Sequence, residues 1–203
     1  MAEQPVLRLF SFRPVQAAFD AVLREVMVPD LRLSQGLQEL YVGRRGPDEL
    51  GPRLIASIWT SRTAMISAVG EDFDPPVFHP EYLDATADRI LEINPLAISL
   101  RFERPGPARI MRALRGRIRP GEREAYVGEA HAGTLADVEA GGGPLALHLA
   151  IGPGDDDFLT VSVWENWSAI EAATGGDIER PIATRHPERI VEWEASHFEI
   201  VEI

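Results

Sequence analysis

Two stretches, RLIASIW (Arg53 to Trp59) and FLTVSVW (Phe158 to Trp164), decide how this chain is read. Each is an uncharged run after its first residue, and each ends in tryptophan. A helical stretch follows, and then a His-Pro-Glu triplet opens HPEYLDATADRILEI at His79 and HPERIVEWEASHFEI at His186. Trp59 precedes His79 by 20 residues, and Trp164 precedes His186 by 22. A Glu-Ile pair closes each segment at the same distance, Glu92-Ile93 and Glu199-Ile200. Upstream, FSFRP (Phe10 to Pro14) lines up with GRIRP (Gly116 to Pro120). Landmarks repeated in the same order make the chain a tandem duplication.

Working outward, each half parses as β-α-β-β-α-β. Val6 to Arg13 alternates as a strand does. Phe19, Val22, Leu23, Val26 and Met27 then fall on one helical stripe. Gly36 to Gly43 and Arg53 to Trp59 form a hairpin, and Thr60 to Val69 a second helix with Ala64, Met65 and Ala68 on one side. A strand around Arg89 to Ile93 closes the half, with Ala97 to Phe102 beyond Pro95 as a continuation. The second half repeats this order: strand Ile110 to Arg119, a helix opened by Pro120 and running from Glu122 to about Glu139, strands Leu145 to Ile151 and Phe158 to Trp164, helix Ser168 to Ala173 stopped by Gly175-Gly176, and strand His197 to Ile203. ERPGPA (Glu103 to Ala108) joins the halves, since two prolines and a glycine forbid regular structure. The domains expected are residues 1–103 and 109–203 with a linker at 104–108.

The strands ending at Trp59 and Trp164 carry no charge on either side, so both sheet faces should be covered. Helices account for one face. The fold class expected is therefore α+β, two ferredoxin-like β-α-β-β-α-β repeats packed sheet to sheet as an intramolecular α+β barrel.

Composition removes several function classes. The 203 residues are 45% hydrophobic and 26% charged, with a net charge of -12. That acidity argues against nucleic acid as a partner. No apolar run reaches the roughly 18 residues of a membrane helix, and no secretory signal opens the chain, so the expectation is a cytoplasmic protein. With no cysteine, thiolate chemistry is excluded. All 20 basic residues are arginine. That removes a Schiff-base or phosphate-loop lysine, and with the abundant Ala and Gly it points to a GC-rich bacterial genome. Gly-rich nucleotide loops and metal-ligand spacings are also absent from the sequence, so no cofactor and no metal are expected.

Each half resembles a domain of the dimeric α+β barrel superfamily, in its antibiotic-biosynthesis-monooxygenase-like branch. GRIRPGEREAYVGEA resembles that branch's first strand, corner and helix; FLTVSVWENWSAIEAATGGD resembles its strand, tryptophan and short helix; EASHFEIVEI resembles its closing strand. The resemblance implies a barrel formed within one chain. It also implies a cofactor-independent monooxygenase acting on a phenolic or polyketide-like aromatic, with a tryptophan at the Trp59 and Trp164 positions lining the substrate pocket. The asparagine, tryptophan and axial histidine of the heme-degrading relatives are missing: Val69 and Thr174 stand ten residues after the two tryptophans.

Candidate catalytic residues are His148, Tyr41, His186 and His79. His148 lies within a strand between Leu147 and Leu149, and Tyr41 aligns with it between Leu40 and Val42. A histidine and a tyrosine at such positions can serve as general base and phenolic donor, or as satisfied polar groups of the core. His79 and His186, each before Pro-Glu, can take a phenol proton at physiological pH or cap a turn. Trp59, Trp164, Ser57 and Ser162 form the candidate substrate-binding set, against the alternative that the tryptophans only fill the ends of the barrel. His131 and His197 have no partner at metal-ligand spacing. Eight arginines crowd Arg101 to Arg123; the favoured reading pairs them with Glu and Asp. The partner expected is a small hydrophobic or aromatic molecule, and a homodimer is a further assembly the sequence allows. The alternative function is a non-catalytic protein, either a binder of a small hydrophobic ligand or a structural partner.

Overall fold

A computed structural model describes residues 4–14, 19–70, 86–152, 156–182 and 186–201, with only the backbone course for 86–94 and 187. The first repeat runs β1 (Val6–Pro14), α1 (Phe19–Val22), a π turn (Leu23–Met27), α2 (Val28–Arg32), β2 (Leu37–Arg44), β3 (Arg53–Trp59), α3 (Arg62–Val69) and β4 (Thr86–Glu103). The second runs β5 (Ile110–Ile118), α4 (Arg123–Glu139), β6 (Ala146–Ile151), β7 (Asp157–Trp164), α5 (Trp167–Thr174), a 3-10 turn (Pro187–Arg189) and β8 (Ile190–Ile200). The fold is α+β, and each repeat has the expected ferredoxin-like element order.

The chain divides into two compact units, residues 1–96 with 198–203, and residues 97–197. In the first unit the strands are ordered β4-β1-β3-β2. The end of β8 adds to β2 through Gly43↔Ile200 and Arg44↔Glu199. In the second unit the order is β8-β5-β7-β6, and the end of β4 adds to β6 from Ile98↔Ala150 to Glu103↔Ala146.

Helices cover one face of each sheet. In the first unit Phe10, Phe12, Val42 and Ile55 pack with Phe19, Leu23, Met27 and Val28. In the second, Leu114, Leu147, Leu149, Ile151 and Phe158 pack with Tyr126 of α4. Burying each such large side chain contributes about 1.5–3 kcal/mol. The short helices after the tryptophans share a cap: the side chain of Ser61 accepts from the Ala64 amide at 3.1 Å, and that of Asn166 from the Ala169 amide at 2.9 Å. Each satisfies a donor that the helix start would otherwise leave open.

Four local readings are corrected. Val26 is exposed, because the i→i+5 turn at Leu23–Met27 re-phases the stripe and keeps Phe19, Leu23, Met27 and Val28 inside. Pro120 does not open α4. It stands in a turn closed by the Glu122 amide on the Arg119 carbonyl at 3.0 Å, and the helix begins at Arg123. β8 begins at Ile190 rather than His197; its exposed Glu192 and Glu194 pair with Arg117 and Arg115 of β5, so charge marks a sheet edge there rather than a loop. β4 continues through Pro95 to Glu103, taking in the first residue of the stretch read as a joint. Among the described residues no helix is long and apolar enough to cross a membrane.

Candidate active site

Alternation and strand register sort the candidate residues onto two faces. On the helix-covered face of the first unit the Trp59 indole N–H donates to Ser57 Oγ at 3.0 Å, and Ser57 Oγ donates to the Arg8 carbonyl at 3.4 Å. The second unit repeats this: Trp164 donates to Ser162 at 2.9 Å, and Ser162 to the Arg112 carbonyl at 3.5 Å. Both tryptophans are fully buried. Trp59 packs against Met65 and Val69 of α3, Trp164 against Ile170 of α5. The candidate substrate-binding residues thus form two matching hydrogen-bonded chains beneath helices.

Tyr41 and His148 project from the other face, because each alternates with residues that the helices cover. Tyr41 pairs with Ala56, and its hydroxyl donates to Glu39 Oε2 at 2.6 Å. His148 pairs with Val161 on β7 and is fully buried. On its other side His148 pairs with Arg101 of β4. Glu103, two residues on, shares that face: one of its carboxylate oxygens lies within 4.8 Å of a His148 ring nitrogen. The Arg101 guanidinium donates to the same carboxylate. A histidine, a carboxylate and a guanidinium on adjacent strands can accept a proton and hold the resulting charge.

The remaining candidates lie apart from this group. His79 falls outside the described residues. His186 is 47% exposed at the start of the 3-10 turn, with Nδ1 at 2.9 Å from Glu188 and Nε2 at 3.4 Å from Glu129. Backbone bonding and the His186 ring hold the Glu188 carboxyl below its usual range. His131 is exposed on α4, and His197 lies beside the Trp167 ring with Nδ1 at 3.7 Å from Glu179. Arg115 and Arg117 pair with glutamates as expected. Arg112 is buried instead, donating to the carbonyls of Ile178 and Arg180. Burial pulls its guanidinium down to about 10 against the opposing pull of Glu179 and Tyr126.

The sequence reading missed Glu103. The expected continuation beyond Pro95 stopped at Phe102, one residue short, although the alternation of Ala97 to Phe102 extends to position 103.

No family model matches the chain, and no curated protein does. Solved structures do match. A "putative monooxygenase" from Fusobacterium nucleatum superposes with a TM-score of 0.75 at 9% identity, covering 100% of this chain and 94% of that one. An anthrone oxidase-like protein superposes with a TM-score of 0.62 at 14% identity, covering 100% and 92%. A ferredoxin-fold protein related to antibiotic biosynthesis monooxygenases, from Listeria monocytogenes, gives 0.57 at 11% identity, covering 98% and 97%. The fold is that of monooxygenase-like ferredoxin-fold proteins. Chlorite dismutase from Candidatus Nitrospira defluvii is also similar, with a TM-score of 0.62 at 10% identity, covering 98% and 93%. Identities this low carry the fold and leave the reaction to the residues.

Proposed function

We propose that this protein is a monooxygenase that uses molecular oxygen without metal, flavin or nicotinamide. Its substrate is a phenolic or polyketide-like aromatic carrying an activated CH2 group. The observation that carries the reading is His148: an imidazole held on β6 between β7 and the end of β4, on the sheet face its own helices leave uncovered, beside a carboxylate. The fold shared with an anthrone oxidase-like protein supports it.

In this scheme His148 removes the hydroxyl proton of the substrate's phenol tautomer, in which the activated CH2 has already given one hydrogen to the oxygen, so the resulting anion has a single hydrogen and carbanion character at that carbon. The electron-rich anion reduces oxygen by one electron, and the two radicals combine at the activated carbon as a hydroperoxide. Loss of water leaves a carbonyl. The CH2 group and O2 thus become C=O and H2O, so the substrate supplies every electron and His148 returns its proton to the departing hydroxide. Tyr41 is the phenol at the first unit's equivalent position, its hydroxyl proton donated to Glu39. Trp59, Trp164, Ser57 and Ser162 support the strands that present these groups, and the exposed His186 has no step in the reaction.

A second reading has an observation of its own. His148 is fully buried and Tyr41 already has an acceptor, as in a binder of a small hydrophobic molecule whose polar groups are satisfied internally. Oxygen uptake by the metal-stripped protein across hydroxynaphthalenes and anthrones separates the two. Uptake above that of a His148→Phe variant supports the oxygenase. A variant as active as the parent removes His148 from the site, and no uptake on any substrate leaves the binding protein.

A further inference from the structure

We infer that Glu103, itself held by Arg101, is the positioning residue that orients the His148 imidazole. This rests on the reading of His148 as the base and adds two residues to it.

The geometry comes from one ladder. Arg101 stands opposite His148, and Glu103 opposite Ala146. Residues two apart on a strand share a face, so Arg101, Glu103 and His148 form a compact patch on two hydrogen-bonded strands. The Arg101 guanidinium donates to the Glu103 carboxylate, and a Glu103 oxygen lies within 4.8 Å of a His148 ring nitrogen. Catalytic contacts of this type tighten when substrate binds.

The chemistry follows from charge and solvation. A neutral imidazole carries one N–H and one bare nitrogen, and only the bare nitrogen can take a proton. A carboxylate beside one nitrogen selects the tautomer that places the N–H there, which turns the basic nitrogen away from Glu103. When His148 takes the phenol proton its ring becomes a buried cation, and the same carboxylate compensates it. Arg101, donating to that carboxylate, limits its rotation. Glu103 is partly exposed and His148 fully buried, so the carboxylate reaches the ring from the water-facing end of the patch. None of these groups is on a loop, which favours a fixed geometry.

The test is the tautomer state of His148, read from the ring nitrogen shifts of 15N-histidine protein, with His148→Phe assigning the signals. Glu103→Gln should convert a single tautomer into a mixture, and Glu103→Asp should restore it partly. In oxygen uptake Glu103→Gln should lower kcat roughly tenfold or more with KM little changed, again with partial rescue by Asp. Arg101→Gln should give a smaller change in the same direction. An unchanged tautomer in Glu103→Gln overturns this inference while uptake by the parent keeps the oxygenase reading intact. A changed tautomer in a protein without uptake on any substrate overturns the reaction, and with it the role of Glu103 in catalysis.

Discussion

His148 and Tyr41 occupy the same register position in their two sheets. His148 faces Val161 and Tyr41 faces Ala56, in each case three residues before the tryptophan that ends the neighbouring strand. Each half therefore carries one protic side chain at the same position, an imidazole in one and a phenol in the other. Of the two, only the imidazole has a bare ring nitrogen that can take a proton. His148→Phe should abolish oxygen uptake to within about 1% of the parent, while Tyr41→Phe should retain a measurable fraction. Initial rates on one substrate decide it, and equal losses would contradict the division of roles.

The serine-tryptophan pairs make a prediction about stability. Ser162→Ala strips a buried indole N–H of its acceptor, which costs about 1–3 kcal/mol. Ser57→Ala should cost a similar amount, since its geometry is the same. Ser→Thr at either place keeps the hydroxyl and should recover most of the loss. Urea unfolding measures all four variants, and alanine variants within about 0.5 kcal/mol of the parent would mean that the hydrogen bond contributes nothing.

What the sequence showed and what it hid divide along physical lines. The hairpin β2-β3 and the match of Tyr41 to His148 both rest on local pattern, and local pattern is written in consecutive residues. The face that Trp59 and Trp164 adopt was not legible, because both sides of those strands are uncharged and alternation separates faces without saying which one a helix covers. Glu103 was hidden for a different reason. It precedes Arg-Pro-Gly-Pro, so its composition reads as a linker, and only the pairing with Ala146 reveals it as strand. The early start of β8 was masked in the same way by Glu192 and Glu194, whose partners Arg117 and Arg115 are more than seventy positions away.

Arg53 is buried, and its guanidinium meets both oxygens of Asp20 at 3.0 Å, tying α1 to the start of β3. Among the described residues, Asp20→Ala leaves that cation with the Gly51 and Glu49 carbonyls. Breaking a buried pair by removing one partner costs about 3–5 kcal/mol, and the partial exposure of Asp20 places this case near 3. Adding Arg53→Met to Asp20→Ala should recover a good part of the loss, because no stranded charge remains. A double-mutant cycle in urea tests this, and a double variant less stable than the sum of the singles would refute it.

Tyr126 sets how the second unit responds to alkali. Its ring lies against Phe158, with centroids 5.1 Å apart. Burial pushes its phenol well above the ordinary value of 10.0, outweighing the hydrogen bond with Thr160 and the charge of Arg112, which act the other way. The folded value is thus raised above the unfolded one. The folded chain keeps its proton at a pH where the unfolded chain has lost it, so this contribution is fully present below pH 10 and falls as the pH rises beyond it. The slope from this one group is at most about 1.4 kcal/mol per pH unit. Tyr126→Phe should be less stable at pH 8 by about 1 kcal/mol through the lost hydrogen bond, yet lose less than the parent between pH 10 and 11. Urea midpoints for both proteins at those three values give the comparison. The same alkaline loss in parent and variant would show that Tyr126 ionises without opening the fold.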